Sequence, residues 1–304
     1  MARIVSLALL VAAWHASAAV AHADLRVVAS TADLAAVAKA VGGDRVEVVA
    51  LALPTQDPHF VDARPHLALD LARADLLIAV GLELELGWLP TLQIGARNPK
   101  IQRGAPGYLD CSTLIDKLDV PAAKVDRSMG DIHPGGNPHY MFDPRRVATV
   151  ATGIAQRMGQ LDPAHTADYQ RGATAFKQQL DQALPRWQKA ASALRGARVI
   201  AYHKSLTYLA DWLGLQIVEH IEPKPGIPPN PRHIALVLGV ARTQGVKLIV
   251  QEAWHPRGTA EMLADRADVR LAIIPGGPDF NRGQTYFAFI DAAVARLVAQ
   301  DSAK

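Results

Sequence analysis

A single cysteine, Cys111, stands in 304 residues, so no intramolecular disulfide can form and stability must come from an apolar core. A lone thiol of this kind reads as buried and inert. Past the N-terminus, no stretch approaches the roughly 20 uninterrupted apolar residues that a membrane-spanning helix needs. No cluster of lysine and arginine interleaved with aromatics is present, which removes support for nucleic-acid or membrane-surface binding. The H-E-x-x-H helix and the G-x-S-x-G elbow of common hydrolases are missing too. No low-complexity tract occurs.

What is present suits one or two ordinary globular domains: half of the chain is apolar and 20% is charged. The N-terminus carries Arg3, an apolar run from Ile4 to Ala13, and Ala21-His22-Ala23, a small-x-small cleavage pattern. A signal peptide over residues 1–23 is therefore expected, with the exported, soluble protein beginning at Asp24. No cysteine follows the cleavage point to take lipid, so a free periplasmic protein is expected rather than an anchored one. Loss of Arg3 with the leader takes the formal charge from +3 to +2.

From Leu25 the chain alternates short β-branched runs with helical stretches. Strands are expected over 25–29, 46–53 and 76–80, with a short one near 108–112, and helices over 31–41, 64–74, 83–94 and 144–161. The same alternation resumes after Gly196, with strands near 199–202, 216–221, 248–251 and 271–274. Between the two halves Tyr169, Ala173, Phe176, Leu180, Leu184, Trp187, Ala191 and Leu194 recur at the spacing of one helical face. That pattern predicts one long helix over 162–195, reaching about 45 Å, with a bend or break at Pro185. The fold class is α/β. The domains expected are an N-terminal α/β domain over 24–161, the linking helix over 162–195 and a C-terminal α/β domain over 196–304, with parallel sheets covered on both faces.

Ligands of open α/β sheets collect in loops at the carboxyl ends of strands. His59 lies in such a loop, Pro54 to Phe60, and His203 directly follows a strand. Asp279 sits in the loop after the last strand, while His139 is held between Pro138 and a helix start at Asp143-Pro144. Taken alone, His139 reads first as a hydrogen-bonded loop residue. Four such groups from four loops could converge in a cleft between the halves. Three neutral imidazoles and a carboxylate suit tetrahedral zinc, at about 2.0–2.1 Å from metal to nitrogen, and zinc stands above manganese in the divalent affinity order. Binding by imidazoles should weaken as pH falls through the histidine range near about 6.5.

Four motifs also carry a resemblance: Thr55-Gln56-Asp57-Pro58-His59-Phe60, Asn137-Pro138-His139-Tyr140-Met141-Phe142-Asp143-Pro144, Tyr202-His203-Lys204-Ser205-Leu206-Thr207-Tyr208-Leu209, and Glu222-Pro223 through Pro231-Arg232-His233. In order and spacing they resemble the ZnuA/TroA-like periplasmic metal-binding proteins of zinc and manganese ABC transporters. The resemblance covers essentially the whole mature chain and is nearest the AztC-type zinc branch. It implies two α/β domains joined by a rigid long helix with the metal between them, ligands at His59, His139 and His203, and a membrane permease as partner. It also implies zinc over manganese, because manganese members carry a carboxylate where His203 stands, and it admits loading by a separate periplasmic zinc metallochaperone. A monomer is expected.

The sequence departs from that family in places. The fourth-ligand loop does not align without a gap, so Asp279 is chosen by position and chemistry over Glu252 or water. The long histidine-rich loop common in zinc members is missing, and His133 is its visible remnant, an accessory or entry site at most. Met141 and Phe142 replace the commoner residues before Asp143-Pro144. His66 reads as a surface residue, His165, His220, His233 and His255 as structural or solvated, and Glu222 as a brace for its proline-rich loop. Competing readings are a manganese-binding transporter component, a zinc hydrolase with Glu252 as base, and a siderophore-type chelate binder, the last of which should show an aromatic or basic pocket.

Overall fold

The computed structural model describes residues 25–123, 125 and 129–299; the expected signal peptide and the start at Asp24 lie outside them. The N-terminal half runs β1 (Leu25–Ala29), α1 (Ala32–Gly42), β2 (Val46–Ala50), α2 (Pro65–Arg73), β3 (Leu76–Ala79), α3 (Leu89–Ala96), β4 (Tyr108–Asp110) and α4 (Pro144–Leu161). After the long α5 (Thr166–Ala190) come β5 (Arg198–Ala201), α6 (Thr207–Leu213), β6 (Gln216–His220), α7 (Pro231–Thr243), β7 (Leu248–Glu252), α8 (Arg257–Ala267), β8 (Arg270–Ile274) and α9 (Tyr286–Val298). Two four-stranded sheets result, in the orders β2-β1-β3-β4 and β6-β5-β7-β8, every neighbouring pair parallel. In both sheets the strand order reverses beside the first strand, and the crevice outside the strand carboxyl ends at that point is where such sheets take ligands.

Each sheet is buried on both faces, which is why strands such as Leu76–Ala79 read as continuous apolar runs. Two separate clusters cover the outer faces, around Leu71, Leu77 and Trp88 in one half and around Ile200, Val237 and Leu263 in the other. The inner faces share one core, in which Leu34 and Ile154 of the first half join Trp212, Phe289 and Leu297 of the second. Helix α5 lies in that shared core and buries Tyr169, Ala173, Phe176, Leu180, Ala183 and Trp187 along one stripe. Large side chains of this kind contribute about 1.5–3 kcal/mol each when fully buried. At Gly172 any Cβ would strike the Val41 carbonyl, so glycine permits the close approach of α5 to the end of α1.

Two details differ from the pattern read in the sequence. Of the bend or break expected at Pro185, the break does not occur: helix α5 runs through it as one 25-residue helix of about 37 Å. Pro185 lies on the exposed side, where the carbonyl one turn earlier, freed by the missing N–H, can bond water. The helix expected over 83–94 starts only at Leu89. Leu82 and Glu83 hold positive φ angles of 53° and 66°, and a series of tight turns carries the chain to Trp88. The reason is Glu85, which turns inward to accept from Ser30 Oγ at 2.6 Å, Val80 N at 2.7 Å and Gly81 N at 3.1 Å. Burial outweighs those hydrogen bonds and raises the Glu85 pKa.

Candidate metal centre

Asp57-Pro58-His59 and Asn137-Pro138-His139 fold alike. In the first, Asp57 Oδ1 accepts from the His59 backbone N–H at 3.0 Å and pairs with its ring Nδ1 at 2.7 Å. In the second, Asn137 Oδ1 accepts from the His139 N–H at 3.0 Å and pairs with Nδ1 at 2.9 Å. The proline excludes helix before each histidine, and the Asx side chain clamps both backbone and ring. His139 then enters a 3-10 turn over Tyr140–Phe142, fixed by Tyr140 Oη donating to the Val80 carbonyl at 2.7 Å. Asp143 caps α4 by accepting from Arg145 N at 2.9 Å, with Pro144 in the first turn, as its position in the sequence suggests.

His203 leaves the end of β5 and pairs through Nδ1 with Glu222 Oε2 at 2.7 Å. Glu222 does brace its loop, since Oε2 also accepts from Gly226 N at 2.9 Å. Each of the three rings thus has an oxygen on Nδ1, which places the proton there and leaves Nε2 with a lone pair for a metal ion. The signal for two of these oxygens stood in the sequence as the paired Asx-Pro-His triplets; Glu222, 19 residues from His203, had none.

His59, His139 and His203 offer ligand atoms that all lie within 4.8 Å of one another. Their ring centroids form a near-equilateral triangle, at 5.1 Å, 5.4 Å and 5.3 Å. A tetrahedral zinc ion requires nitrogens about 3.3–3.4 Å apart, a small contraction from this arrangement. His139 and His203 are buried. Burial, reinforced by the neighbouring imidazoles, holds the His139 pKa well below the ordinary range, so the ring stays neutral and able to ligate. Burial would raise Asp57, but the hydrogen bond and charge of His59 prevail and bring it to about 2.

Asp279 is not brought into this group. Its carboxylate is 44% exposed and lies 3.6 Å from Arg282 Nε, while its backbone N–H donates to Gln284 Oε1 at 2.7 Å. The preceding loop packs with Gly276 against Trp254 and Gly277 near Pro54, and lines a pocket together with Pro58 and His139. Glu252 is fully buried and pairs with His255 Nε2 at 3.4 Å, and it too stays outside the histidine group. His255 stacks on Tyr202, with ring centroids 4.2 Å apart and planes at 17°, which makes it structural as expected. His66 is exposed, and His233 Nε2 donates to the His220 carbonyl at 3.0 Å. His133 is nearer the centre than its lone position suggested, with Nε2 3.3 Å from Nε2 of His59. Burial and the charges of His59 and His203 lower its pKa to about 4. Cys111 is buried, and burial raises its thiol pKa, in keeping with an inert role.

Known proteins resemble this chain in sequence and fold. The high-affinity zinc uptake system protein ZnuA of Paracoccus denitrificans (strain Pd 1222) is 23% identical over 325 residues, 95% of this chain and 96% of that protein. The metal ABC transporter substrate-binding lipoprotein ScbA of Streptococcus cristatus is 24% identical over 51% of this chain and 48% of its own length. A crystal structure of ZnuA has the same fold, with a TM-score of 0.75 at 20% identity over 90% of this chain and 98% of that one. Residues 27–300 match the family described as zinc-uptake complex component A periplasmic. Since that match runs from the first strand to the end of the last helix, this chain belongs to that family, whose members are substrate-binding components of metal ABC transporters and not enzymes.

Proposed function

We propose that the chain captures zinc in the periplasm and delivers it to the membrane permease of its transporter, with His59, His139 and His203 as ligands. The observation that carries this reading is the convergence of three imidazoles within 4.8 Å, each with an oxygen on Nδ1. An all-nitrogen set suits zinc, whereas manganese favours oxygen ligands. Relatives point both ways on the metal, since the Streptococcus gordonii protein scaA is a manganese ABC transporter substrate-binding lipoprotein, 24% identical over 51% of this chain.

Release of a tightly held ion needs movement. The core shared along α5 opposes hinging of the two halves, so release is assigned to the ligand loops. Hydrogen exchange compared with and without metal tests this: protection confined to the loops around 54–60, 130–139 and 203–206 supports it, and protection spread over both halves refutes it. The metal itself is tested by chelator-competition titration of the metal-stripped protein with zinc and with manganese, beside His139→Ala. One tight zinc equivalent, lost in the variant, supports capture of zinc. Tighter manganese binding, or no tight zinc, overturns it.

A further inference from the structure

The two sheets treat their fourth strands differently. In the first, the outward-facing groups of β4 are taken up by the chain itself. Tyr108 N–H donates to the Ala105 carbonyl at 3.0 Å, Arg157 of α4 donates to the Tyr108 carbonyl, and Thr113 Oγ1 donates to the Asp110 carbonyl at 2.6 Å. A strand edge occupied in this way is a poor template for another strand. In the second sheet, β8 pairs only with β7, and the Ala253 N–H donating to the Ile274 carbonyl at 2.9 Å sets the phase of the ladder. Arg270, Ala272 and Ile274 therefore point their N–H and C=O groups at β7, and those of Leu271 and Ile273 point away from it. Nothing among the described residues bonds to these four outward groups.

The open edge faces a groove with one sign of charge. Residues 271–275 line it, with Arg257 of α8 toward the carboxyl end of β8 and Arg270 and Arg296 toward the amino end, and no aspartate or glutamate joins them. Arg270 braces the end of α9, donating to the Arg296 carbonyl at 3.2 Å and to the Leu297 carbonyl. Arg257 and Arg296 are exposed, and their side chains enter no ion pair among the described residues. The strand has five residues, an edge of about 17 Å. Pairing of β8 with β8 of a second copy would set these arginines against their own counterparts, so the charge of the groove favours an acidic occupant over another copy of the chain.

We propose that the β8 edge is a docking site for an extended, acidic segment of a partner protein, which adds to the sheet as a fifth strand. Backbone pairing with Leu271 and Ile273 supplies the attachment, and carboxylates set against Arg257 and Arg296 supply the choice of partner. The groove shares no residue with the cavity that His133, His139 and His203 line, so docking and ion binding use separate surfaces.

The experiment uses the full zinc-loaded chain and a short blocked peptide of alternating threonine and glutamate, beside its lysine counterpart. Nuclear magnetic resonance titration reads binding, and amide hydrogen exchange reads pairing at Leu271 and Ile273. Ile273→Pro removes an outward N–H and no ladder bond, so it blocks the edge while keeping the sheet. The expected result is that the glutamate peptide shifts and protects both amides, that salt weakens it, and that the lysine peptide does neither. Ile273→Pro abolishes binding, and the double variant Arg257→Ala with Arg296→Ala weakens it about 10-fold, as loss of two exposed ion pairs implies. Zinc affinity stays at the parent value in every variant. Circular dichroism and melting establish folding, and the arginine variant carries the test by itself if proline disturbs the sheet. Failure of the glutamate peptide to protect these amides, equal protection by the lysine peptide, or unchanged affinity in the arginine variant overturns the proposal. Slow exchange of both amides before peptide is added, or dimerisation through this edge in sedimentation, assigns the edge to another occupant and overturns it as well.

Discussion

Glu222 and His203 meet at 2.7 Å between Oε2 and Nδ1, with side-chain exposures of 10% and 7%, and this contact decides which ring nitrogen faces the cleft. Oxygen partners of metal-ligating histidines fix the tautomer and raise ligand basicity, and their loss typically lowers metal affinity about 10–100-fold. Glu222→Gln keeps the size and an oxygen for Gly226 N–H but gives up the carboxylate charge. We expect zinc affinity to fall about 10–100-fold, with melting of the metal-free protein little changed. Competition titration beside a thermal melt checks both; an unaltered affinity would separate Glu222 from the function of His203.

Asn137 has a heavier structural load than its counterpart Asp57. Besides His139, it reaches the Lys204 carbonyl at 2.8 Å and Thr207 Oγ1 at 3.2 Å, both in the second half. Removing it leaves the buried His139 N–H without its acceptor, at about 1–3 kcal/mol, cuts the ties to the second half and frees the His139 ring. Asn137→Ala should therefore lose stability by that amount in urea unfolding and also lose zinc affinity. Asp57→Ala, whose side chain is 29% exposed, should reduce affinity with a smaller effect on unfolding. Equal stability losses in the two variants would contradict the bridging role assigned to Asn137.

These contrasts follow how much of the molecule its sequence disclosed. The alternation of strands and helices was legible because buried parallel strands and amphipathic helices each have a short period, and β1 and α4 lie where the pattern placed them. His59, His139 and His203 were legible because strand ends and Asx-Pro turns announce themselves locally. The inward turn of Glu85, the reach of Glu222 to His203 and the approach of His133 to His59 depend on residues 19 to 74 positions apart or on buried backbone N–H groups. Asp279 has the right chemistry after the last strand, yet its carboxylate lies beside Arg282 and outside the group of three histidines.

Acid should destabilise the metal-free protein by forcing protons onto its buried histidines. Burial lowers His139 well below the ordinary range, and lowers His133 and His220 to about 4. A histidine with a depressed folded pKa takes its proton preferentially in the unfolded chain, so its contribution is intact above about 6.5 and is lost as pH falls toward the folded value. His255 works in the opposite sense: the hydrogen bond and charge of Glu252 outweigh burial and raise it, so its contribution is full below about 6.5 and fades as pH rises. Among the shifted histidines three stand against one, while the raised buried carboxyls of Glu85 and Asp33 act with His255 in favour of the folded chain in acid; the three buried imidazoles are expected to prevail, with a net fall in melting temperature between about pH 6.5 and 4.5. His220→Gln should make that fall shallower. A melting temperature flat or rising toward acid across this window would contradict the neutral, buried imidazoles.

Beneath His203 lies a buried ion pair with asymmetric consequences. Glu252 is fully buried, and despite that burial its hydrogen bond and charge interaction with His255 lower its pKa. Both Glu252 oxygens lack a well-aligned hydrogen bond, so His255 at 3.4 Å is the chief compensation for the charge. Removing the cation should therefore be worse than removing both charges. His255→Phe preserves the stacking on Tyr202 but leaves a buried carboxylate unpaired, and breaking such a pair costs about 3–5 kcal/mol. The double variant Glu252→Met with His255→Phe exchanges the pair for apolar groups of similar volume, which is neutral or stabilising by about 1–4 kcal/mol in comparable sites. Urea unfolding of the metal-free proteins at neutral pH measures both. If the double variant unfolds as readily as His255→Phe alone, the pair stabilises this fold through more than mutual compensation of charge, and the orphaned-carboxylate account fails.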